Sequence, residues 1–399
     1  MLKSLKFFQW RRLPKAFLLF FCWAIAPLFL VEVSMILLEP YLFRGLYQYD
    51  PDLGFRIRPH ANGNNEFGFN DRDYPLETEP GTFRMLVLSD SFNWAGGQDG
   101  NYTALLENQF QQYYGTHKVD VINAGYPGTH TAEQLALLKK FGLQYNPDLV
   151  VLGFFVGNDF IDADPNRKRI IVNDIYIDID RREELILFGY PIIGQSRLWL
   201  FIQQKYKVFQ EAAKSRQTSV SPPVQPRVKL VSATDAESEE REQSPGILSR
   251  EMFLEVERAR LEFCEIEDLE AGDRDANINY ILDSISEMNA ILKSRNIQFV
   301  VALYPDEFQV NPNLLNQLVS NFDIDLNDYE LTCQQNTLKR HLEKENISYI
   351  DFTPRFREEH QSRHLYLFQE PHWNSAGNRL AADILFENLV EMTDKKLSN

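Results

Sequence analysis

Ser91 combines a nucleophilic side chain with a position where open α/β folds carry out their chemistry. It follows the mostly apolar run 84–88, which has no helical spacing and therefore predicts a buried strand. A side chain just beyond such a strand lies at the carboxyl edge of the sheet, where these folds bind ligands. A serine hydroxyl is a weak nucleophile until a base takes its proton, so the site also requires a base and a group that orients it. Ester cleavage or acyl transfer is the chemistry that such a set supports.

The base and its orienting acid have candidates near the C-terminus. His372 is the candidate base, and Glu370, two residues earlier, can hold the imidazole from its other nitrogen. Asp351, at the end of the predicted strand 347–351, is the fallback acid.

The negatively charged oxygen of a tetrahedral intermediate needs hydrogen-bond donors aimed at it. Gly128 can supply a backbone N–H, Asn158 a side-chain amide, and Ser91 its own backbone N–H. Each functional residue also has an ordinary structural explanation: Asp90 or Ser91 as a helix cap, Gly128 as a turn residue, Asn158 as the source of a loop hydrogen bond, and His372 as a packed structural residue. The combination favours the catalytic interpretation, because all the pieces fall in loops at predicted strand ends.

Two other kinds of site are disfavoured by the residue spacing. The GxSxG sequence of ordinary α/β-hydrolases is absent, since its nearest match at 194–198 lacks the last glycine. No spacing of His, Asp and Glu indicates a metal, so we predict no metal and no cofactor.

The charge balance bears on partners and topology. The formal net charge is -16, and the first fifteen residues carry five basic side chains and no acids. The remaining chain is strongly acidic, which argues against nucleic acid as a partner.

Cys264 and Cys333 either form a disulfide, if the domain is extracytoplasmic, or are two buried free thiols.

An apolar run of about 23 residues at 16–38 predicts a single transmembrane anchor. The basic tail 1–15 places the N-terminus in the cytoplasm and the rest outside it, periplasmic or on the cell surface. Pro27 and Glu32 weaken the run, and a removable signal peptide is the alternative.

The elements that position the candidate residues alternate between strand and helix in two stretches, 83–162 and 276–392. This alternation predicts an α/β fold with a mostly parallel central sheet and helices on both faces. An extended lead-in at 41–82 precedes it. Residues 163–275 form a predicted insertion, with a hairpin near 170–179, an amphipathic helix from 196 and a disordered stretch at 215–246.

Four blocks of this sequence resemble those of the SGNH (GDSL-type) hydrolase superfamily: LSDSFNWAGG, NAGYPG, VGNDF and EPHWNSAGNRLAA. The lead-in segments YDPDLGFRIRP and FGFNDRDYP resemble its membrane-anchored extracytoplasmic branch, which is related to polysaccharide O-acetyl esterases and transferases. The resemblance covers 41–162 and 276–392 and implies a three-layer sandwich, SGNH/flavodoxin-like.

Carried over by position, the resemblance implies Ser91 as nucleophile, Gly128 and Asn158 as oxyanion donors and His372 as base. The chain departs from the pattern at Ser89, where the family has glycine, and at Glu370, where the family has aspartate.

The predicted function is a membrane-anchored extracytoplasmic serine ester hydrolase that acts on O-acyl groups of a glycan through an acyl-enzyme on Ser91. One alternative is an O-acetyltransferase that uses the same site. The other is a catalytically inactive glycan-binding or assembly module. The expected partners are an ester or acylated glycan and the lipid bilayer. A membrane acyltransferase is a further candidate partner.

Overall fold

A computed structural model describes residues 20, 22–23, 26–115, 117–187, 190–193, 196–203, 205–206, 248–272 and 274–397. The predicted basic tail 1–15 and the predicted disordered stretch 215–246 lie outside these residues. The predicted anchor 16–38 lies partly outside them. Within the described ranges, no helix has both the length and the apolar character needed to cross a membrane.

The chain divides into two compact units. One comprises residues 1–55 and 169–231, and the other comprises 56–168 and 232–399. The strands are β1 Tyr47–Asp50, β2 Gly54–Ile57, β3 Phe83–Leu88, β4 Val119–Asn123, β5 Leu149–Phe155, β6 Arg167–Val172, β7 Ile175–Asp180, β8 Leu185–Leu187, β9 Tyr190–Ile192, β10 Gln298–Tyr304 and β11 Ser348–Asp351. The α-helices are α1 Ala26–Leu42, α2 Gly97–Gly100, α3 Tyr102–Tyr114, α4 Thr131–Lys140, α5 Arg250–Glu262, α6 Ile266–Ala271, α7 Asp275–Ser294, α8 Glu307–Val310, α9 Pro312–Phe322, α10 Cys333–Glu345, α11 Thr353–His360 and α12 Ser375–Leu397.

A five-stranded sheet forms the centre of the larger unit, in the order β11-β10-β5-β3-β4. Every neighbouring pair is parallel, and the central pair sets Met85 of β3 opposite Leu149 of β5. All residues of β3 and β5 are buried, because helices cover both faces of the sheet. The predicted α/β fold with a parallel central sheet is confirmed.

Alternate residues of the strands point to opposite helical layers. Met85 belongs to a core cluster that also includes Leu106 of α3 and Leu385 of α12. On the other face, Leu86 lies close to Gly142, just beyond α4. The helices on that second face are joined at the surface by an ion pair of 2.5 Å between Lys139 of α4 and Glu287 of α7. The core therefore lies in two layers, one above and one below the sheet.

The predicted hairpin near 170–179 is present in the smaller unit. Strands β6 and β7 pair with each other and are joined by Asn173 and Asp174. Both residues have positive φ, 53° and 60°. Asparagine and aspartate favour this two-residue turn, because they tolerate the left-handed conformation.

The two interior cysteines are joined by a disulfide, Cys264–Cys333, with the Cα atoms 5.6 Å apart. It connects the chain just after α5 to the first residue of α10. The alternative of two free thiols is therefore wrong.

Candidate active site

The turn after β3 directs the Ser91 hydroxyl away from the backbone. Ser91 begins a short 3-10 turn, Ser91–Asn93, and Asp90 caps it by accepting a hydrogen bond of 3.0 Å from the N–H of Phe92. The capping alternative for Ser91 is therefore wrong, because Asp90 fills that role. The Oγ atom of Ser91 lies 2.7 Å from Nε2 of His372.

His372 is held between the serine and a carboxylate. Its Nδ1 atom lies 2.7 Å from Oε1 of Glu370. The loop that carries both residues is closed by a hydrogen bond of 2.8 Å from the N–H of Leu367 to the carbonyl of His372. Gln369 has a φ of 51°, in the left-handed region, and this turn brings the glutamate back towards the imidazole. Ser91, His372 and Glu370 thus form one continuous hydrogen-bonded chain.

The fallback acid, Asp351, lies elsewhere. Its carboxylate is 2.5 Å from Nζ of Lys339 on α10 and accepts a hydrogen bond of 2.9 Å from the N–H of Thr353. It serves as an ion-pair partner of Lys339 and as an acceptor for the first N–H of α11, so the fallback assignment is wrong.

An aromatic cluster supports the nucleophile and the base together. The ring of Phe92 lies 5.2 Å from the His372 imidazole and 4.7 Å from the indole of Trp373. Tyr304, at the end of β10, contacts the same indole at 4.7 Å. Trp373 and Phe92 are fully buried. Because close-packed aromatic rings have little freedom to move, the cluster fixes both loops relative to the sheet.

Asn158 is oriented by the residue that precedes the serine. Its Nδ2 atom donates a hydrogen bond of 2.8 Å to Oδ2 of Asp90. A side-chain amide has two N–H hydrogens, so one remains to donate elsewhere. Asp159 fixes the backbone next to it, accepting a hydrogen bond of 2.7 Å from the N–H of Thr131 and one of 2.8 Å from the N–H of Phe155.

Both aspartates of this network are fully buried. Burial raises the pKa of Asp90, while the N–H of Phe92, the amide of Asn158 and the His372 imidazole act in the opposite direction. Burial also raises the pKa of Asp159 well above its ordinary value, and the nearby Asp90 charge adds to that shift. Both carboxylates are acceptors for surrounding N–H groups, and this fixes the geometry of the Asn158 loop.

The Gly128 loop begins beside the serine turn. The N–H of Tyr126 donates a hydrogen bond of 3.2 Å to the carbonyl of Ser89. Gly128 itself is exposed and has a φ of 75°, which a side chain would strain. Its role as an oxyanion donor stays a prediction.

Sequence reasoning missed Gly125 and Asn93. A Cβ atom on Gly125 would lie 2.2 Å from the Cβ of Asn93, so only glycine allows the two loops to approach this closely. The indole N–H of Trp94 donates a hydrogen bond of 3.0 Å to the carbonyl of Gly125. The glycine in NAGYPG was the available signal, but its partner lies 32 residues earlier and is not evident from the sequence.

Ser89 stands where the resembled pattern has glycine, and its hydroxyl has a hydrogen-bond partner. It is fully buried and donates a hydrogen bond of 3.0 Å to the carbonyl of Gly153 on β5. The substitution therefore adds a contact between neighbouring strands.

A cleft of about 570 Å³ borders the histidine loop. Its lining includes 366–369, directly before Glu370, together with residues of α5 and α9. Phe368 on its wall is 51% exposed, and polar side chains such as Asn313 and Gln317 also line it. A second cleft of about 560 Å³ shares Asn311, Asn313 and His364 with the first.

The arrangement can activate a serine alcohol and transfer an acyl group. The described ranges contain no group of three or more His, Cys, Asp and Glu side chains that could hold a metal ion.

Residues 263–397 match a family described as SGNH hydrolase-like domain, acetyltransferase AlgX. No curated protein matches the chain. Solved structures that are similar to the chain include the following three. An acetyl xylan esterase, AlAXEase, is 13% identical, with a TM-score of 0.39 and coverage of 77% of this chain and 100% of that chain. A catalytic mutant of Axe2, an acetylxylan esterase from Geobacillus stearothermophilus, is 11% identical, with a TM-score of 0.39 and coverage of 78% and 96%. A lipase/acylhydrolase from Enterococcus faecalis is 12% identical, with a TM-score of 0.35 and coverage of 78% and 97%. At these identities and TM-scores the structural likenesses say nothing about function.

Proposed function

We propose that this chain, an SGNH-type serine enzyme that acts on ester bonds, removes or transfers O-acyl groups of a glycan through an acyl-enzyme on Ser91. The observation that carries the proposal is the continuous hydrogen-bonded chain from the Ser91 hydroxyl through His372 to Glu370. That geometry is what an activated serine requires.

In the first half-reaction, Oγ of Ser91 attacks the ester carbonyl carbon while Nε2 of His372 accepts the hydroxyl proton. Glu370 stabilises the imidazolium that forms. The carbonyl oxygen becomes an oxyanion, for which Asn158 and Gly128 are the proposed donors. When the tetrahedral intermediate collapses, the C–O bond to the leaving alkoxide breaks, and His372 gives it the proton. The acyl group is then esterified to Ser91.

In the second half-reaction, an acceptor hydroxyl attacks the acyl-enzyme and loses its proton to His372. His372 then protonates Oγ of Ser91 as the serine ester bond breaks. Water as acceptor gives hydrolysis, and a sugar hydroxyl gives O-acyl transfer. Transfer is the second candidate function, favoured by the acetyltransferase family match and by a cleft of about 570 Å³ whose wall includes residues 366–369 of the histidine loop. The exposed ring of Phe368 is suited to stacking against a sugar face.

A non-catalytic glycan-binding module is the remaining alternative. The complete hydrogen-bonded chain from serine to glutamate argues against it, because a module that only binds has no need of an aligned base. The two departures from the family pattern do not disrupt this alignment.

The site is proposed to lie outside the cytoplasm, with the N-terminal apolar run attaching the chain to the membrane. Two observations support this location: the basic residues that precede the run, and the Cys264–Cys333 disulfide. Structural disulfides persist mainly in oxidising compartments. A membrane acyltransferase that supplies acyl groups is a proposed partner.

The proposed function is tested by incubating the full chain with an isotopically labelled acetyl ester and an oligosaccharide acceptor, and then following free acetate and acetylated sugar by mass spectrometry. Wild-type protein is expected to form one or both products. Ser91→Ala is expected to form neither, whereas Ser89→Ala, a matched hydroxyl deletion two residues away, retains turnover. Equal product formation by wild type and Ser91→Ala would refute the proposal.

A further inference from the structure

Helix α1 carries two charged residues, and both are on one face. Glu32 and Glu39 are the charged side chains of Ala26–Leu42. They are seven residues apart, which is about two helical turns, so their side chains project in the same direction. All other residues of this helix are uncharged, and most are large and apolar.

The segment 196–206 is helical at 197–203 and 205–206. It provides hydrogen-bond or ion-pair partners for both glutamates of α1. Glu32 accepts a hydrogen bond of 2.8 Å from the hydroxyl of Ser196 and one of 3.2 Å from the N–H of Leu198, and it also accepts one from the N–H of Arg197. The first acid therefore caps the start of the helical segment.

The second acid forms a buried ion pair. Glu39 pairs with the guanidinium of Arg197, whose side chain is 2% exposed. It also accepts a hydrogen bond of 2.8 Å from the N–H of Asn173. Further along this face, Phe43 packs edge-to-face on Phe201, with ring centroids 5.9 Å apart. The charges of α1 are thus enclosed between the two helical elements.

The remaining surface of these elements is apolar and exposed. Large apolar side chains of α1 and its C-terminal end are 42–70% exposed: Leu28, Phe29, Leu30, Val31, Leu37, Leu38, Tyr41 and Leu42. On the segment 196–206, Trp199, Ile202 and Tyr206 are 47–61% exposed.

The distribution of these side chains indicates the kind of partner. Consecutive residues 28–31 point around most of the helix circumference, since successive side chains are about 100° apart. A protein groove covers one side of a helix, whereas lipid surrounds it. Charges that enter hydrocarbon are found paired with one another, as these are. Tyrosine and tryptophan side chains favour the boundary between hydrocarbon and headgroups.

We propose that α1 and the segment 196–206 form a single membrane-contacting element, in which the segment neutralises the acids of α1 and presents Trp199, Ile202 and Tyr206 to the lipid bilayer. The inference rests on the proposed membrane attachment. It adds a second attachment, from a part of the chain about 160 residues beyond the N-terminal apolar run.

Site-directed fluorescence in lipid vesicles tests this element. In a Cys22→Ser background, Leu30→Cys, Ile202→Cys and the exposed control Ser320→Cys are each labelled with an environment-sensitive nitrobenzoxadiazole probe. The remaining cysteines are joined in the disulfide and do not react. The full chain is reconstituted into vesicles of phosphatidylethanolamine and phosphatidylglycerol, and circular dichroism checks that each variant is folded.

The probes at 30 and 202 are both expected to emit at shorter wavelength, to be quenched by doxyl-labelled lipid and to be shielded from aqueous iodide. The probe at 320 is expected to respond only to iodide. If the probe at 202 is quenched by iodide like that at 320, or is shielded from both quenchers, the inference is wrong even though the probe at 30 lies in lipid. If neither probe is quenched by lipid, the proposed membrane attachment fails as well.

Discussion

The side-chain amide of Asn158 donates a hydrogen bond of 2.8 Å to the carboxylate of Asp90, the residue immediately before the candidate nucleophile. The other oxygen of the same carboxylate accepts a hydrogen bond from the N–H of Phe92. One buried side chain therefore fixes both the serine turn and the proposed oxyanion donor.

Asp90→Asn is expected to lower kcat by roughly 10–10²-fold with little change in KM, because the amide of Asn158 loses its fixed orientation and small misplacements of a catalytic group are costly. Steady-state kinetics checks this, with thermal unfolding as the control for folding. A kcat close to that of wild type in the folded variant would mean that Asp90 does not position the catalytic groups.

Asn158→Ala is expected to lower kcat by about 10²–10³-fold, the usual loss for one oxyanion donor. Asparagine at position 90 keeps one oxygen that can accept from the N–H of Phe92, so Asp90→Asn mainly disturbs Asn158. Adding Asp90→Asn to Asn158→Ala should therefore lower kcat little further. The double-mutant cycle measures that coupling directly. Additive losses in kcat would mean that Asp90 acts by another route.

Glu370→Gln is expected to reduce kcat by roughly 10²–10⁴-fold, because the imidazole loses the carboxylate that orients it and stabilises its charged form. Asp351→Asn is the matched control, since that carboxylate pairs with Lys339 on α10. Its turnover should stay within about two-fold of wild type, as expected for a group outside the catalytic hydrogen-bonded chain. A large loss of kcat in Asp351→Asn, with little loss in Glu370→Gln, would identify Asp351 as the acid that orients His372.

Asp71 introduces a pH dependence of stability. It lies in the lead-in and is half-buried, its Oδ2 atom accepts a hydrogen bond of 2.8 Å from the N–H of Asn123, and desolvation raises its pKa to about 7. The unfolded pKa is about 3.9, so the native state binds the extra proton between those two values. Stability from this group is present at pH values below about 4 and is lost as pH rises towards 7.

Asp71→Asn removes that titration, so the Tm of the variant relative to wild type should increase between about pH 4 and pH 7 and then level off. Thermal unfolding across this range is the measurement. A Tm difference that is constant with pH, or that falls, would contradict the assignment.

The Cys264–Cys333 disulfide closes a loop with a sequence separation of 69 residues. In the chain-entropy account, a cross-link of that span stabilises the native state by about 4 kcal/mol. Replacing both cysteines by serine should therefore lower Tm by roughly 5–10 °C in a domain of this size. An unchanged Tm in the double variant would mean that the bond contributes little to stability.

The strands of the sheet could be predicted from sequence because their signal is local. Apart from the charged first residues Arg84 and Asp148, the runs 84–88 and 148–155 contain no charged side chain, as is typical of strands covered on both faces, and both contain the predicted strands. The order of the five strands could not be predicted in this way, because it depends on contacts between distant segments.

The residues of the site could be predicted from the sequence, but the hydrogen bonds that join and orient them could not. Ser91, His372 and Glu370 were identified from position and spacing. The reach of the glutamate depends on the left-handed turn at Gln369, which no local pattern indicated. The contact between Asp90 and Asn158 is equally hidden in the sequence, because the two residues are 68 positions apart.

The central claim is that Ser91, activated by His372, forms the acyl-enzyme. It is tested most directly by reacting the folded full-length protein with a fluorophosphonate probe and identifying the modified peptide by mass spectrometry. We predict stoichiometric modification of Ser91, abolished in Ser91→Ala and strongly slowed in His372→Ala. Folded wild-type protein that takes up no probe, or that is modified equally in Ser91→Ala, would contradict the claim.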